Sequence, residues 1–258
     1  MKQVVTALLS IAMLTGGIAR AGVVVEEQQT IDRGAGTPST NKITVMVQGN
    51  KQKYVIGNGQ QSSITDLDQG TRTMISNARK MYVEMPFPPK GMMMPPNGGK
   101  SALSFKKTGG EEKIAGYACD DYTGVGSLGE NEMTVNGCFS TSAPGAANFT
   151  AFQKTMTAKV KGTPMALMSD TPPGIPLKID TSLKQKTGNR PPITTHMTVT
   201  KVTKQELAAD TFQPPKDYVK QQMPMMRPPG MTGPGMMGKP VAGASPAAPA
   251  PAPNKVPE

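Results

Sequence analysis

The side chains through which this sequence could do chemistry are one histidine, two cysteines, two close carboxylate pairs and an unusual number of methionines. His196 lies in Ile193-Thr194-Thr195-His196-Met197-Thr198-Val199, where strand alternation gathers Ile193, Thr195, Met197 and Val199 on one face. His196 shares the other, polar face with Thr194, Thr198 and Thr200, so an exposed strand histidine is expected. A lone histidine cannot build a His-paired metal site, and neither G-x-S-x-G nor H-E-x-x-H occurs. Asp66 with Asp68, and Asp120 with Asp121, lack the spaced ligands of a calcium loop and are expected to cap turns or face solvent. No set of nucleophile, base and oxyanion donors emerges, so the expectation is a protein that binds rather than an enzyme.

Cys119 and Cys138 are the only cysteines. Their spacing is neither C-x-x-C nor a common zinc pattern, whereas the intervening DDYTGVGSLGENEMTVNG reads as strand, turn, strand. A turn near Leu128-Gly129 would set the two thiols directly across a hairpin, within reach of a disulfide.

Methionine is the unusual resource. Met81, Met85, Met92, Met93 and Met94 surround a Pro-rich loop, and Met223, Met225, Met226, Met231, Met236 and Met237 crowd the C-terminal segment. Thioethers are soft donors, so the second group is an alternative copper(I) site. Methionine is also an adaptable filler, and the loop from Met85 through Phe87 to Pro96 can act as an apolar cover that repacks over ligands of different shape. That use requires no cofactor.

These residues need elements to hold them. Short apolar alternations separated by Gly, Asn and Pro predict an antiparallel sheet built from hairpins. The clearest runs from Ile43 to Ile56 with a two-residue turn at Gly49-Asn50, which pairs Ile43 with Ile56 and Val45 with Tyr54. Further strands are expected around 23–32, 62–67, 71–76, 79–85, 101–107, 112–125, 132–139, 175–185 and 193–204. From Pro144 to Lys161, Phe149, Phe152, Met156 and Val160 recur at helical spacing and form one apolar stripe. A shorter helical turn is expected at Lys204 to Asp210. The fold class is therefore mainly β with one or two helices.

At the start, Lys2, the apolar run Val4 to Ile18 and Ala19-Arg20-Ala21 read as a signal peptide, residues 1–21, cleaved before Gly22. Interrupted by Thr15-Gly16-Gly17, that run is too short for a spanning helix, and no membrane span is expected later. Residues 22–220 are expected to form one domain. Residues 221–258, first Met-Pro-Gly-rich and then Ala-Pro-rich, form a tail with too little apolar surface to offset its ordering entropy. Losing Lys2 and Arg20 lowers the formal net charge from +10 to +8. The basic residues are scattered and carry no nucleic-acid motif, so anionic lipid headgroups suit the charge better than nucleic acid.

The segments KMYVEMP (Lys80–Pro86), KIAGYACDDY (Lys113–Tyr122), GIPLKI (Gly174–Ile179) and THMTVTKVTKQELAADTFQPPKDY (Thr195–Tyr218) resemble an uncharacterised bacterial domain-of-unknown-function family related to the LolA-like periplasmic lipoprotein carriers. The resemblance implies a strongly curved antiparallel sheet, an unclosed half-barrel, whose concave face is covered by helix and loops around an apolar cavity. It transfers no catalytic residue.

Together these readings predict a periplasmic protein, or one released further outside, that binds a lipid, a lipoprotein acyl chain or another apolar ligand. Phe149, Phe152 and Met156, with Phe87 and Met92 to Met94, are expected to line the entrance. The alternatives are copper(I) handling by the Met-rich tail, and an envelope interaction module that uses the tail as a spacer to a partner protein.

Overall fold

The computed structural model describes residues 21–34, 36–89, 103–128, 131–161, 163, 170–186 and 191–222. Their alternating apolar runs form strands β1 (Gly22–Asp32), β2 (Ser39–Gln48), β3 (Lys51–Ile56), β4 (Gln61–Asp66), β5 (Thr71–Ser76), β6 (Met81–Pro86), β7 (Ser104–Ile114), β8 (Tyr117–Leu128), β9 (Asn131–Ser140), β10 (Ile175–Gln185), β11 (Ile193–Gln205) and β12 (Val219–Gln221). Among the described residues one helix, α1 (Ala146–Val160), interrupts them, and a 3-10 turn covers Ala209–Phe212.

All twelve strands join one open sheet in the order β12-β6-β5-β4-β3-β2-β1-β11-β10-β9-β8-β7. The two meanders meet where β1 pairs with β11, and β7 and β12 are the edges. Every pairing is antiparallel except that of β12 with β6. Register irregularities at Glu26/Glu27, Pro176/Lys178 and Lys107/Glu111 interrupt the ladders, and such bulges bend a strand and increase its twist. The open, mainly antiparallel sheet with one α-helix is the fold class read from the sequence.

Both faces of the sheet carry apolar packing. On one, Val23, Val25, Ile43, Val45 and Val47 meet Phe149, Phe152 and Val160 of α1, with Met156 partly buried beside them. Phe152 is fully buried. Gly145 caps the helix in the left-handed region at φ 81°, and a Cβ there would lie 2.6 Å from Cβ of Val23, so glycine lets α1 approach the sheet. On the other face, Ile64 and Ile75 pack with Leu207 and Phe212 of the segment that follows β11.

The β2–β3 hairpin has the expected register, Ile43 opposite Ile56 and Val45 opposite Tyr54, with Gly49 at φ 58° in the turn. Asp66 caps its turn as read: its Oδ1 accepts from the amides of Asp68 and Gln69, and Lys51 lies 2.9 Å from Oδ2. Burial opposes ionisation of this carboxyl, yet the Gln69 amide, the Lys51 ammonium and the Asp68 amide together hold its pKa below the usual range.

Four expectations need correction. The run 112–125 is not one strand, because Ala115 and Gly116 both take positive φ, 50° and 88°, in a tight turn that separates β7 from β8. The β8–β9 turn lies one residue later than expected, pairing Asp121 rather than Cys119 with Cys138. The disulfide Cys119–Cys138 therefore bridges diagonally, with Cα atoms 5.3 Å apart. Closing this loop contributes about 3 kcal/mol in the chain-entropy model. Residues 204–205 belong to β11, and the helical turn begins only at Ala209. Finally, β12 was not foreseen, and its pairing with β6 runs through Gln221, one residue past the expected domain end.

Candidate ligand-binding site

Cross-strand pairing carries the α1 side of the sheet outward in rows: Val25, Val45, Tyr54, Ser63, Met74 and Val83 are successive partners from β1 to β6. The next row ends in Ile56, Gln61, Ser76 and Met81. The helix packs chiefly on β1, β2 and β10, away from the outer strands β4 to β6. What remains over β3 to β6 and β12 is a cavity of about 430 Å³, within the range of small-molecule sites. Its wall includes Tyr54, Ile56, Met74, Met81 and Val83, with Ser62 and Ser63 as polar points. Met74 is 43% exposed there, and at the sheet edge Val219, beside Met81, is 64% exposed.

Charge at this cavity is one-sided. Arg72 and Arg79 line it, and among the described residues no carboxylate does. Nε of Arg72 is shielded from solvent and has no hydrogen-bond partner. Further inside, Glu27 is 6% exposed between its strand neighbours Ile43 and Val199, and its Oε2 has no partner. Burial pushes the Glu27 pKa up to about 7. The Tyr54 hydroxyl is pushed up to about 12, first by burial and then by the charge of Glu27. Tyr54 thus stands in the cavity wall within electrostatic reach of the buried carboxyl.

A second, polar cavity of about 220 Å³ sits over β7 to β10, bordered by Glu112, Asp121, Lys178 and Asp180. Lys178 binds Glu112 at 2.9 Å, and that hydrogen bond raises its pKa. His196 lies in the exposed position expected, but with a neighbour that alternation alone did not reveal: its Nδ1 lies 2.8 Å from Oδ1 of the cross-strand partner Asp180. Among the described residues no group of three or more His, Cys, Asp or Glu could hold a metal ion.

The aromatic residues expected at an entrance lie elsewhere. Phe87, Phe149 and Phe152 are 6%, 7% and 0% exposed, packed into the core on the α1 side, and none lines the apolar cavity. They fill space rather than frame it. Met92, Met93 and Met94, and the tail methionines Met223, Met225, Met226, Met231, Met236 and Met237, lie outside the described residues. So does the leader, residues 1–20. The residues that do form the cavity, Tyr54, Arg72, Met74 and Val83, were assigned to strands but not to a site.

The profile of the family described as Domain of unknown function (DUF4412) matches residues 35–218. The chain belongs to this family. An uncharacterised domain family was the one the sequence resembled. No curated protein matches this DUF4412 chain. Among solved structures it is similar to PNGF-II, at 14% identity and a TM-score of 0.41, over 78% of this chain but only 31% of that one. The chain therefore spans about a third of the length of that protein. It is also similar to an uncharacterized conserved protein from Thermus thermophilus, at 9% identity and TM-score 0.45 over 79% and 91% of the two chains. A LolA superfamily protein from Nitrosomonas europaea is similar at 8% identity and TM-score 0.31, over 75% and 90%. Among the described residues no helix is long and apolar enough to cross a membrane.

Proposed function

We propose that this DUF4412 protein is an exported, non-enzymatic binding protein for a lipid, a lipoprotein acyl chain or another apolar ligand, held on the sheet face that α1 leaves open. The observation that carries the reading is the cavity of about 430 Å³ walled by Tyr54, Ile56, Met74, Met81 and Val83. Apolar side chains facing water lose the burial that strand alternation prepared for them. An alkyl chain laid over them recovers it at ~0.8 kcal/mol per CH₂ group. Export is supported by the leader-like residues 1–21 and by the Cys119–Cys138 disulfide, a bond that persists in oxidising compartments.

Met74→Glu places a charge in the middle of the wall at a position already 43% exposed, where the fold tolerates it. Binding of a neutral apolar fluorophore should weaken by about 10- to 100-fold, since a methionine side chain contributes about 1.5–3 kcal/mol when fully covered. Equal titration curves for wild type and Met74→Glu would place the binding surface elsewhere.

A further inference from the structure

The charges at the cavity narrow the ligand class. Arg72 stands on the cavity face of β5, in the row with Gln52, Thr65 and Met85, one row beyond Tyr54, Met74 and Val83. It is therefore at one end of the apolar floor. Among the described residues neither Arg72 nor Arg79 has a carboxylate within 4.0 Å, although six acidic side chains of the domain are ion-paired with lysines. Arg72 is the more deeply set of the two. Its Nε has lost water and gained no partner, a state that costs free energy until an acceptor arrives. A guanidinium is always charged and presents a planar fork that matches carboxylate and phosphate oxygens, and a low-dielectric wall strengthens that attraction. Arg79, exposed in the turn between β5 and β6, adds positive potential at the opposite end.

We infer that the ligand is an anionic amphiphile: an oxyanion head, carboxylate or phosphate monoester, held by Arg72, with a single alkyl chain lying over Met74, Val83 and Met81. The inference rests on the proposed function and adds a head-group requirement to it. A neutral lipid would leave the shielded Arg72 guanidinium unpaired at its own binding site. An oxyanion head satisfies it, and among the described residues no acidic wall residue repels it.

Calorimetric titration of the full chain at pH 8 with decanoate, decyl phosphate and decan-1-ol tests this. The wild type should bind at least one oxyanion about 10- to 100-fold more tightly than the alcohol, the size expected of a charge-assisted hydrogen-bonded pair. Whichever oxyanion binds more tightly names the head group, and either supports the inference. Arg72→Met, which keeps the apolar stem, should lose that preference, the oxyanions binding no more tightly than decan-1-ol. Equal wild-type affinity for all three, or a preference that survives Arg72→Met, overturns the head-group inference and leaves the apolar-ligand reading standing. Failure of the wild type to bind any of the three overturns both. Because the wild-type preference is read on the unaltered chain, the outcome does not depend on the variant folding.

Discussion

Phe152→Ala should destabilise the domain by about 3–5 kcal/mol, the largest effect expected of any single truncation here. Phe152 is fully buried where α1 meets β1 and β2, so the deleted ring leaves a void that the sheet cannot close without distorting its ladders. Urea unfolding at neutral pH measures this directly, and the midpoint should fall with the slope unchanged. A cost below about 1 kcal/mol would mean that the helix does not rest on the sheet as described. The same void would not reach the open cavity, whose wall is made by other strands, so ligand binding by the folded variant should persist.

Glu27→Gln should act in the opposite direction and depend on pH. In the folded protein burial raises the Glu27 pKa from 4.5 to about 7. The folded state therefore holds a proton that the unfolded chain releases between these values. Stability linked to this group is complete below pH 4.5, declines as pH rises towards 7 and is lost above it. The interval corresponds to about 3 kcal/mol. Glutamine never ionises, so the variant should gain up to about that much over the wild type at pH 9, with the difference shrinking between pH 7 and pH 4.5. Parallel unfolding curves at pH 4 and pH 9 check the sign. A wild-type-to-variant difference that is the same at both pH values would show that Glu27 is not buried as a neutral acid.

Where local pattern and global packing agree, the fold was legible in the sequence. The β2–β3 register follows from Ile43, Val45, Tyr54 and Ile56 together with a two-residue Gly-Asn turn, because a slip of one residue would turn every apolar side chain to the wrong face. The stripe Phe149, Phe152, Met156 and Val160 specified α1 for the same reason. The turn at Ala115-Gly116 was hidden because an alanine at φ 50° occupies a place where asparagine or aspartate gives the usual signal. The one-residue displacement of the β8–β9 turn kept the cysteines in reach but shifted their register.

The site was less legible, for a geometric reason. Periodicity tells which side chains share a face and does not tell what covers that face. A buried stripe such as Phe149 and Phe152 looks the same in sequence whether it borders a cavity or fills one. A helix of fifteen residues is about 22 Å long, whereas twelve strands span roughly 50 Å, so much of one face must be covered by something other than α1. Arg72 gave no sign of its own: in Thr71-Arg72-Thr73-Met74 it reads as an ordinary polar position, and only the cross-strand partners Thr65 and Met85 set it on the cavity side. His196 likewise acquired Asp180 only through the pairing of β10 with β11.

The most direct test of the central claim, that the open face of β3 to β6 holds an apolar ligand, is native mass spectrometry of the full chain, gently purified from the cells that make it, beside Met74→Glu prepared in the same way. The expected result is a lipid-sized adduct on the wild type, dissociating as an anion, with markedly lower occupancy on the variant. A bare wild-type chain that also fails to take up decanoate or decan-1-ol when these are added, or an adduct of equal occupancy on Met74→Glu, would contradict it.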